Sequence, residues 1–341
     1  MSVSSLSSLS DAEDLVKRRH FPDRVDLISA HDGEEFRNLY RISKSAALQI
    51  CQRLDLEPYT QRNKPLSAVT QLLITLRFFA TGSFLQLAEL TNIHKSTVCR
   101  IVQRVTQELA KLAAVYIKMP EGEELRTVSD EFYAIDGFPR VAGAVDCTHV
   151  KIISRGGALS ETFRNREGFF SINVQAVCDA SLRIRDLIVR WPGSVHDCTI
   201  FNNSHLRADF DSGRYGDYHL LGDSGYYNRN YLLTPIAQPQ THAEYAFNRS
   251  HAATYSTIHS CFEFWKRRCP CIHKGISLKK TSTVLQVIVA SAVLHNMCID
   301  LNEPEPPNDM VVEQHQDIPY IPSGLTQDTT VRTSLVNTIF T

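Results

Sequence analysis

Residues 141–150 read VAGAVDCTHV, and this stretch decides the fold. Small and β-branched residues fill its first half, which is typical of a buried strand. An aspartate, Asp146, then stands where the strand should stay apolar. A carboxylate inside a sheet costs free energy unless a partner or a cation compensates its charge. The stretch therefore predicts a strand whose aspartate has a chemical role.

Further strands are predicted on the C-terminal side of this stretch. Alternating apolar residues and a tight turn indicate an antiparallel meander of three strands, at residues 141–153, 171–179 and 182–191. The chain then breaks at Pro192-Gly193, begins a helix, and continues into a short buried strand in HLLGDSGYY. The order β-β-β-α-β, with more helix following at residues 244–268 and 282–301, predicts an α/β fold in which helices flank a mixed sheet.

A helical region precedes the sheet. Apolar residues recur at helical spacing over residues 66–80, and Thr81-Gly82-Ser83 ends that helix. A short helix and a longer one follow, divided at Asn92-Ile93-His94, so that residues 66–112 indicate a helix-turn-helix. The second helix of this motif enters the major groove of DNA. The candidate DNA contacts are Lys95, Ser96, Thr97, Arg100 and Arg104. A helical hairpin with a solvated polar face would give the same pattern.

Composition limits the classes of function. The 341 residues are 43% hydrophobic and 21% charged, which is typical of a globular protein. No apolar run is long enough to span a bilayer, and the N-terminus does not resemble a signal peptide, so we expect an intracellular protein without a membrane segment. Nine cysteines without a CxxC pair favour reduced thiols. The formal charge of −1 means that any polyanion site must be a local patch.

Three regions follow from these patterns. We predict an N-terminal helical region at residues 1–125, an α/β region at 126–301 and an acidic, proline-rich tail at 302–341 with a possible last helix at 326–340.

Three aspartates share one kind of position. Asp146, Asp197 in PGSVHD and Asp223 in LLGDSG each lie where a strand or its exit meets Gly, Ser or Thr. If the fourth strand runs parallel beside the first, Asp146 and Asp223 project from the same end of the sheet. Converging carboxylates repel each other unless they share a proton or bind a divalent cation. Oxygen ligands favour Mg²⁺ or Mn²⁺, and two such ions can assist phosphoryl transfer.

Simpler roles are open for two of these aspartates. Asp197 is also well placed as an N-cap or first-turn acid of the following helix. Asp223 could make an Asx turn with the residues that follow it.

Several motifs in sequence order resemble the PIF/Harbinger transposases: AVDCTHV, NVQAVCD, WPGSVHDCTIF, LLGDSGYY, LLTP, YAFNRSHAATYSTI and VLHN. The similarity covers about residues 66–301. It implies an RNase H-like catalytic domain of the DDE type, in which Asp146, Asp223 and Asp197 bind divalent ions for DNA cleavage. It also implies a nuclear and cytoplasmic protein that acts on DNA with a Myb-like companion protein and can form a homo-oligomer.

One position departs from the family pattern. In IHSCFEFWKRR, His259 stands where relatives have a glutamate. Glu263, one helical turn further on, is a candidate replacement acid, and a neutral His259 could itself be a metal ligand. Otherwise hydrolysis has been lost and the fold persists as a DNA-binding or scaffold protein. Lys266, Arg267 and Arg268 follow as candidate phosphate contacts, although basic residues also stabilise a solvated helix end.

Overall fold

The computed structural model describes residues 26–57, 66–154, 156–157, 160–312 and 327–341, without the side chains of residues 89 and 90. Parts of the predicted N-terminal region (residues 1–25 and 58–65) and of the predicted tail (residues 313–326) lie outside the described residues. Seven helices precede the first strand in the described ranges: α1 (Gly33–Tyr40), α2 (Lys44–Gln52), α3 (Ala68–Thr81), α4 (Phe84–Thr91), α5 (Lys95–Lys111), α6 (Ala113–Tyr116) and α7 (Gly122–Asp136).

Polar caps explain where these helices begin. Asp32 and Glu35 form a capping box at the start of α1, and the hydroxyls of Ser43, Ser67 and Ser83 accept backbone N–H groups at the starts of α2, α3 and α4. The turn between α4 and α5 lies at the predicted place, with Asn92 in the left-handed conformation. Two helices meet at a turn here, whereas the helix-turn-helix motif and a DNA-binding role for it stay predictions.

Helix α7 was not predicted. It runs from Gly122 to Asp136, across the expected division at residue 125, and it buries Leu125, Val128 and Phe132. Helix α5 also packs against the late helix α12 (Thr281–Asp300). One hydrophobic core continues from α1 through α5 to α12, so the helical region and the α/β region are joined through their interiors.

The sheet has five strands in the order β3-β2-β1-β4-β5. They are β1 (Val141–Lys151), β2 (Ser171–Cys178), β3 (Ile184–Pro192), β4 (His219–Leu221) and β5 (Leu232–Leu233). The first three form the predicted antiparallel meander, and β4 lies parallel to β1 as predicted. The mixed sheet is confirmed. The two-residue strand β5, parallel to β4, was not predicted because its apolar run is too short to show a period.

Helices cover both faces of the sheet. A short 3₁₀ helix (Ser160–Phe163) lies between β1 and β2. Two short helices follow β3: α8 (Asp197–Asn202) and α9 (His205–Asp211). The described part ends with four further helices: α10 (His242–Arg268), α11 (Pro270–Lys274), α12 and α13 (Thr330–Thr338). Side chains such as Ala144 and Val174 join the large core, whereas Val145 and Val177 pack with Phe201 of α8 on the opposite face.

Helix α12 is the one described helix whose length and apolar composition would allow it to cross a membrane. In the structure, 72% of that apolar window is buried inside the protein. It packs against α5 and β3, so it is a core helix of this fold.

Candidate metal and DNA site

Asp146 lies in the middle of β1, where its backbone pairs with Ala176 of β2. Its side chain is 13% exposed. One carboxylate oxygen, Oδ1, accepts the N–H of Cys147 at 2.8 Å. The strand therefore holds a largely buried carboxylate that faces α10 near His259.

Asp223 lies beside Asp146 because of the parallel pairing of β1 and β4. Ala144 is in register with Leu221, so Asp223 follows β4 by the same two residues that separate Asp146 from Ala144. The Asp223 carboxylate accepts the N–H of Gly225 at 2.9 Å, which is the predicted Asx turn. The turn orients the carboxylate.

Asp197 is the first residue of α8 and is 4% exposed. It is not the N-cap, since His196 occupies that position without a side-chain cap. Its Oδ1 accepts a hydrogen bond at 2.9 Å from Asn173 of β2, whose amide also donates to the carbonyl of Val195 at 2.8 Å. Asn173 thus fixes Asp197 to the sheet.

The charges of the three aspartates all act on the phenol of Tyr255 on α10. Burial, followed by the charges of Asp146, Asp223 and Asp197, raises the pKa of the Tyr255 hydroxyl well above its usual range. Three separate elements therefore deliver negative charge to one place. On the opposite face, burial and then the charge of Asp197 raise the pKa of Cys147, whose Sγ lies 3.5 Å from the Tyr226 hydroxyl.

His259 is part of this group. Its Nε2 lies 3.6 Å from Asp146 Oδ2, and its ring meets that of Tyr255 edge-on with centroids 5.2 Å apart. Burial lowers the pKa of His259, so the imidazole is neutral at pH 7. The contact with Asp146 is longer than a hydrogen bond and does not neutralise the carboxylate.

Glu263, the candidate replacement acid, has a different partner. Its carboxylate accepts a hydrogen bond at 3.2 Å from Arg267, one turn further along α10, and its side chain is 40% exposed. Four residues advance about 400° around a helix, so Glu263 is rotated by about 40° from His259. Its role as the last acid stays a prediction.

Lys266 lies at the acidic site, although the sequence pointed to an exposed DNA contact. The residue is 4% exposed, and burial lowers its pKa to about 8 against the opposing charges of Asp146 and Glu167. Lys266 has the same helical phase as Tyr255, since eleven residues make close to three turns. Its ammonium therefore offsets part of the negative charge around Asp146.

Arg267 and Arg268 are also buried, and this corrects their prediction as surface phosphate contacts. Arg267 donates to the carbonyls of Pro306 and Pro307, and Arg268 to those of Pro304 and Arg41. Exposures of 5% and 6% leave them out of reach of a DNA backbone. They fix the segment that follows α12 to the body of the protein.

The predicted contacts on α5 divide into two groups. Lys95, Ser96 and Arg100 are exposed and Thr97 is half-buried, near the start of the helix. Arg104 instead donates to the carbonyl of Glu57 at 3.1 Å and to the side chain of Gln71 at 3.4 Å. Arg104 therefore ties α5 to its neighbours and is corrected from a groove contact to a structural residue.

The residues fit a hard divalent cation by their chemistry. Among the described residues, no three His, Cys, Asp or Glu side chains stand close enough to hold a metal as they are placed. The charges of all three carboxylates nevertheless act on Tyr255, and the buried Oδ1 of Asn173, whose amide N–H donates to Asp197, has no hydrogen-bonding partner. Oxygen donors of this kind are the ligands that Mg²⁺ and Mn²⁺ prefer.

Sequence reasoning missed two contributors to the site, Asn173 and Tyr255, and gave Lys266 a different role, as a phosphate contact. Asn173 stands in the motif NVQAVCD, where an amide inside an apolar strand is itself a signal. Tyr255 and Lys266 share a helical face with His259, but that face becomes recognisable only once the side of α10 that meets β1 is known.

Comparisons with known proteins place the chain among a family of nucleases. A family model described as DDE superfamily endonuclease matches residues 145–296. The chain is 36% identical over 245 residues to "Putative nuclease HARBI1" of Homo sapiens, covering 71% of this chain and 70% of that protein. It is 29% identical over 244 residues to the Xenopus laevis protein of the same name, covering 70% of each chain. It is 25% identical over 312 residues to "Protein ALP1-like" of Arabidopsis thaliana, covering 85% and 76%. No solved structure matches.

Proposed function

This chain belongs to the Harbinger-type DDE superfamily endonucleases, and we propose that it cleaves DNA phosphodiester bonds with the help of Mg²⁺ or Mn²⁺. One observation carries the proposal. The charges of Asp146 from β1, Asp223 after β4 and Asp197 of α8 all act on the buried hydroxyl of Tyr255. Carboxylates whose charges act on one buried place repel one another, and a divalent cation relieves that repulsion.

Each residue has a distinct part in this proposal. Asp146, Asp223 and Asp197 would hold the metal, which when bound would activate the attacking water and neutralise the phosphate charge. Asn173 keeps Asp197 in place through its amide N–H. Lys266 limits the repulsion among the acids by facing Asp146 from α10.

DNA recognition is assigned to the start of α5. Lys95, Ser96, Thr97 and Arg100 lie in the first turns of this helix, with Lys95, Ser96 and Arg100 exposed, as a recognition helix requires. We extend the proposal to action in the nucleus, with a Myb-like companion protein for DNA recognition and with possible self-association.

A second candidate function follows from His259. A neutral imidazole brings no negative charge to a site where relatives are expected to have glutamate, and metal affinity falls with each lost carboxylate. The alternative is a DNA-binding or scaffold protein that keeps the fold without hydrolysis.

Nicking of supercoiled plasmid in Mg²⁺ or Mn²⁺ tests the proposal. The wild-type chain should nick, and Asp146→Asn should abolish nicking. Asp217→Asn is the matched control, because Asp217 is 83% exposed and lies before β4, away from the acidic group. Absence of nicking by the wild-type chain with either metal would favour the binding protein, and equal nicking by Asp146→Asn would contradict the acidic site.

A further inference from the structure

A group of exposed lysines lies at the C-terminal end of β1. Lys151 ends the strand, Lys274 ends α11, and Lys279 and Lys280 precede α12. We call these four residues the basic edge. A parallel bridge between Ile152 and Ile276, with the Ile276 N–H donating to the Lys151 carbonyl at 2.8 Å, lays residues 275–280 along the end of β1.

The backbone here is closely fitted, so the lysines have defined positions. Gly275 has a φ of +105°, and a Cβ on it would lie 3.2 Å from Cβ of Lys151. The Lys151 ammonium lies 5.6 Å from the centre of the Phe169 ring, a cation–π contact that orients its side chain.

The basic edge adjoins the turn that leads into α4, and it shares β1 with Asp146. Lys151 is five residues beyond Asp146, a separation of about 17 Å along the strand, and this odd spacing places the two side chains on opposite faces of the sheet. On the other side, a Cβ at Gly82, between α3 and α4, would contact Cys271 and Gly275 at 3.8 Å. A duplex that reaches Asp146 past the C-terminal end of β1 would therefore meet the basic edge.

The basic edge is a local concentration of positive charge in a chain that is nearly neutral as a whole. The formal net charge is −1, yet no acidic residue occurs between Glu263 and Asp300. Asp309, whose pKa is lowered mainly by its hydrogen bond to Arg41, also lies within electrostatic reach of Lys274. Its carboxylate is already engaged by Arg41 through two hydrogen bonds of 2.7 Å, so it offsets little of the lysine charge.

We propose that the basic edge binds the phosphate backbone of the DNA duplex that flanks the cleaved bond. This assignment rests on the proposed nuclease function and supplies the backbone contacts that the buried Arg267 and Arg268 cannot make. Since each nucleotide of a strand advances the duplex by about 3.4 Å along its axis, a separation of about 17 Å corresponds to about five nucleotides of duplex.

Binding of a fluorescent DNA duplex, measured by anisotropy without divalent cations, tests the assignment independently of cleavage. The variant is the pair Lys151→Glu and Lys274→Glu in the full chain. The matched control is the pair Arg140→Glu and Arg249→Glu, which changes the charge equally at residues that are 61% and 79% exposed. Arg140 precedes β1 and so lies at the strand's opposite end.

The lysine pair should weaken binding by roughly tenfold or more and lower the slope of log affinity against log salt by about 2, since two phosphate contacts are lost. The control pair should leave that slope unchanged. Equal effects of the two pairs, or no DNA binding by the wild-type chain, would overturn the assignment. Tighter binding of an RNA duplex, with the same response to the lysine pair, would reassign the surface to RNA.

The two proposals fail separately. If the chain binds DNA through the lysine pair but does not nick plasmid, the assignment of the basic edge stands and the proposed nuclease function is wrong. If the chain nicks plasmid but its DNA binding does not depend on the lysine pair, the nuclease function stands and the assignment of the basic edge is wrong.

Discussion

His259 determines how much negative charge the acidic site contains. The imidazole is 31% exposed, lies 3.6 Å from Asp146 and is neutral, because burial lowers its pKa. It therefore neither pairs with the carboxylate nor adds to the charge available for a metal. The Lys266 ammonium nearby further lowers the net negative charge.

We predict that His259→Glu raises metal-dependent nicking by about tenfold, because a further carboxylate beside Asp146 strengthens metal binding. The same substitution should increase the rise in Tm that Mn²⁺ produces, since the metal relieves the added repulsion. His259→Gln is the control, with the length of glutamate and no charge. If Glu and Gln variants nick equally, charge at this position is not what limits the site.

At the scale of elements, the end of β3 positions Asp197. Gly193 is buried, and its N–H donates to the carbonyl of Ser171 at 2.9 Å. A Cβ at this position would lie 2.1 Å from Ser171 Oγ and 2.8 Å from the carbonyl of Phe163. The chain can turn towards α8 this close to β2 only with glycine here.

Gly193→Ala should therefore push β3 away from β2 and move Asp197 relative to Asn173. We expect a loss of about 1–3 kcal/mol in the free energy of unfolding and a lower nicking rate. Urea denaturation and plasmid nicking measure the two effects. Ser194→Ala, at the exposed neighbouring position, should leave both nearly unchanged. A Gly193→Ala protein with wild-type stability would show that the contact relaxes without cost.

Hydrophobic periodicity and helix caps predicted most of the helices and strands, and a missed element, helix α7, has a physical explanation. The alternation in residues 171–178 and the small residues of VAGAVD specify strands through local pattern alone. Helix α7 was missed because its apolar residues Leu125, Val128 and Phe132 are few and its exposed face carries Tyr133 and Ile135. Its amphipathic pattern is therefore weak.

The same limit applies to the site. The three aspartates were predicted because a carboxylate at a strand end is unusual in its own sequence context. Lys266, Arg267 and Arg268 read as one basic run, yet Lys266 faces Asp146 while the two arginines hold residues 304–307. Sequence cannot separate these neighbours, because each successive residue turns about 100° around the helix and meets different surroundings.

At the scale of the whole molecule, two buried histidines make stability depend on pH. His219 and His251 both meet the ring of Phe138 edge-on, at 5.8 and 5.9 Å. Burial lowers the pKa of His219 to about 3 and that of His251 to about 4, from 6.5. Asp186 behaves in the opposite way, since burial raises its pKa from 3.8 to about 6.

We predict that the protein loses stability as the pH falls from 6.5 to 4.5. The unfolded chain binds protons at both histidines in this range while the folded chain does not, which costs about 1.4 kcal/mol per pH unit for each. Folded Asp186 binds a proton below about pH 6 and offsets about half of this loss. Urea denaturation across this range measures the effect.

Asp186→Asn isolates the opposing contribution. Removing the buried carboxylate should raise the free energy of unfolding at pH 7 and make the loss below pH 6 about twice as steep, because only the histidines then titrate. An unchanged pH dependence in this variant would show that Asp186 is ionised in the folded protein.

Binding of Mn²⁺, measured by calorimetry, tests the convergence of Asp146, Asp223 and Asp197 on one cation most directly, because it requires neither DNA nor cleavage. The wild-type chain should bind Mn²⁺ and Asp217→Asn should bind it equally, whereas Asp146→Asn should lower the affinity by at least tenfold. Equal affinity of the wild-type chain and Asp146→Asn would contradict the metal site.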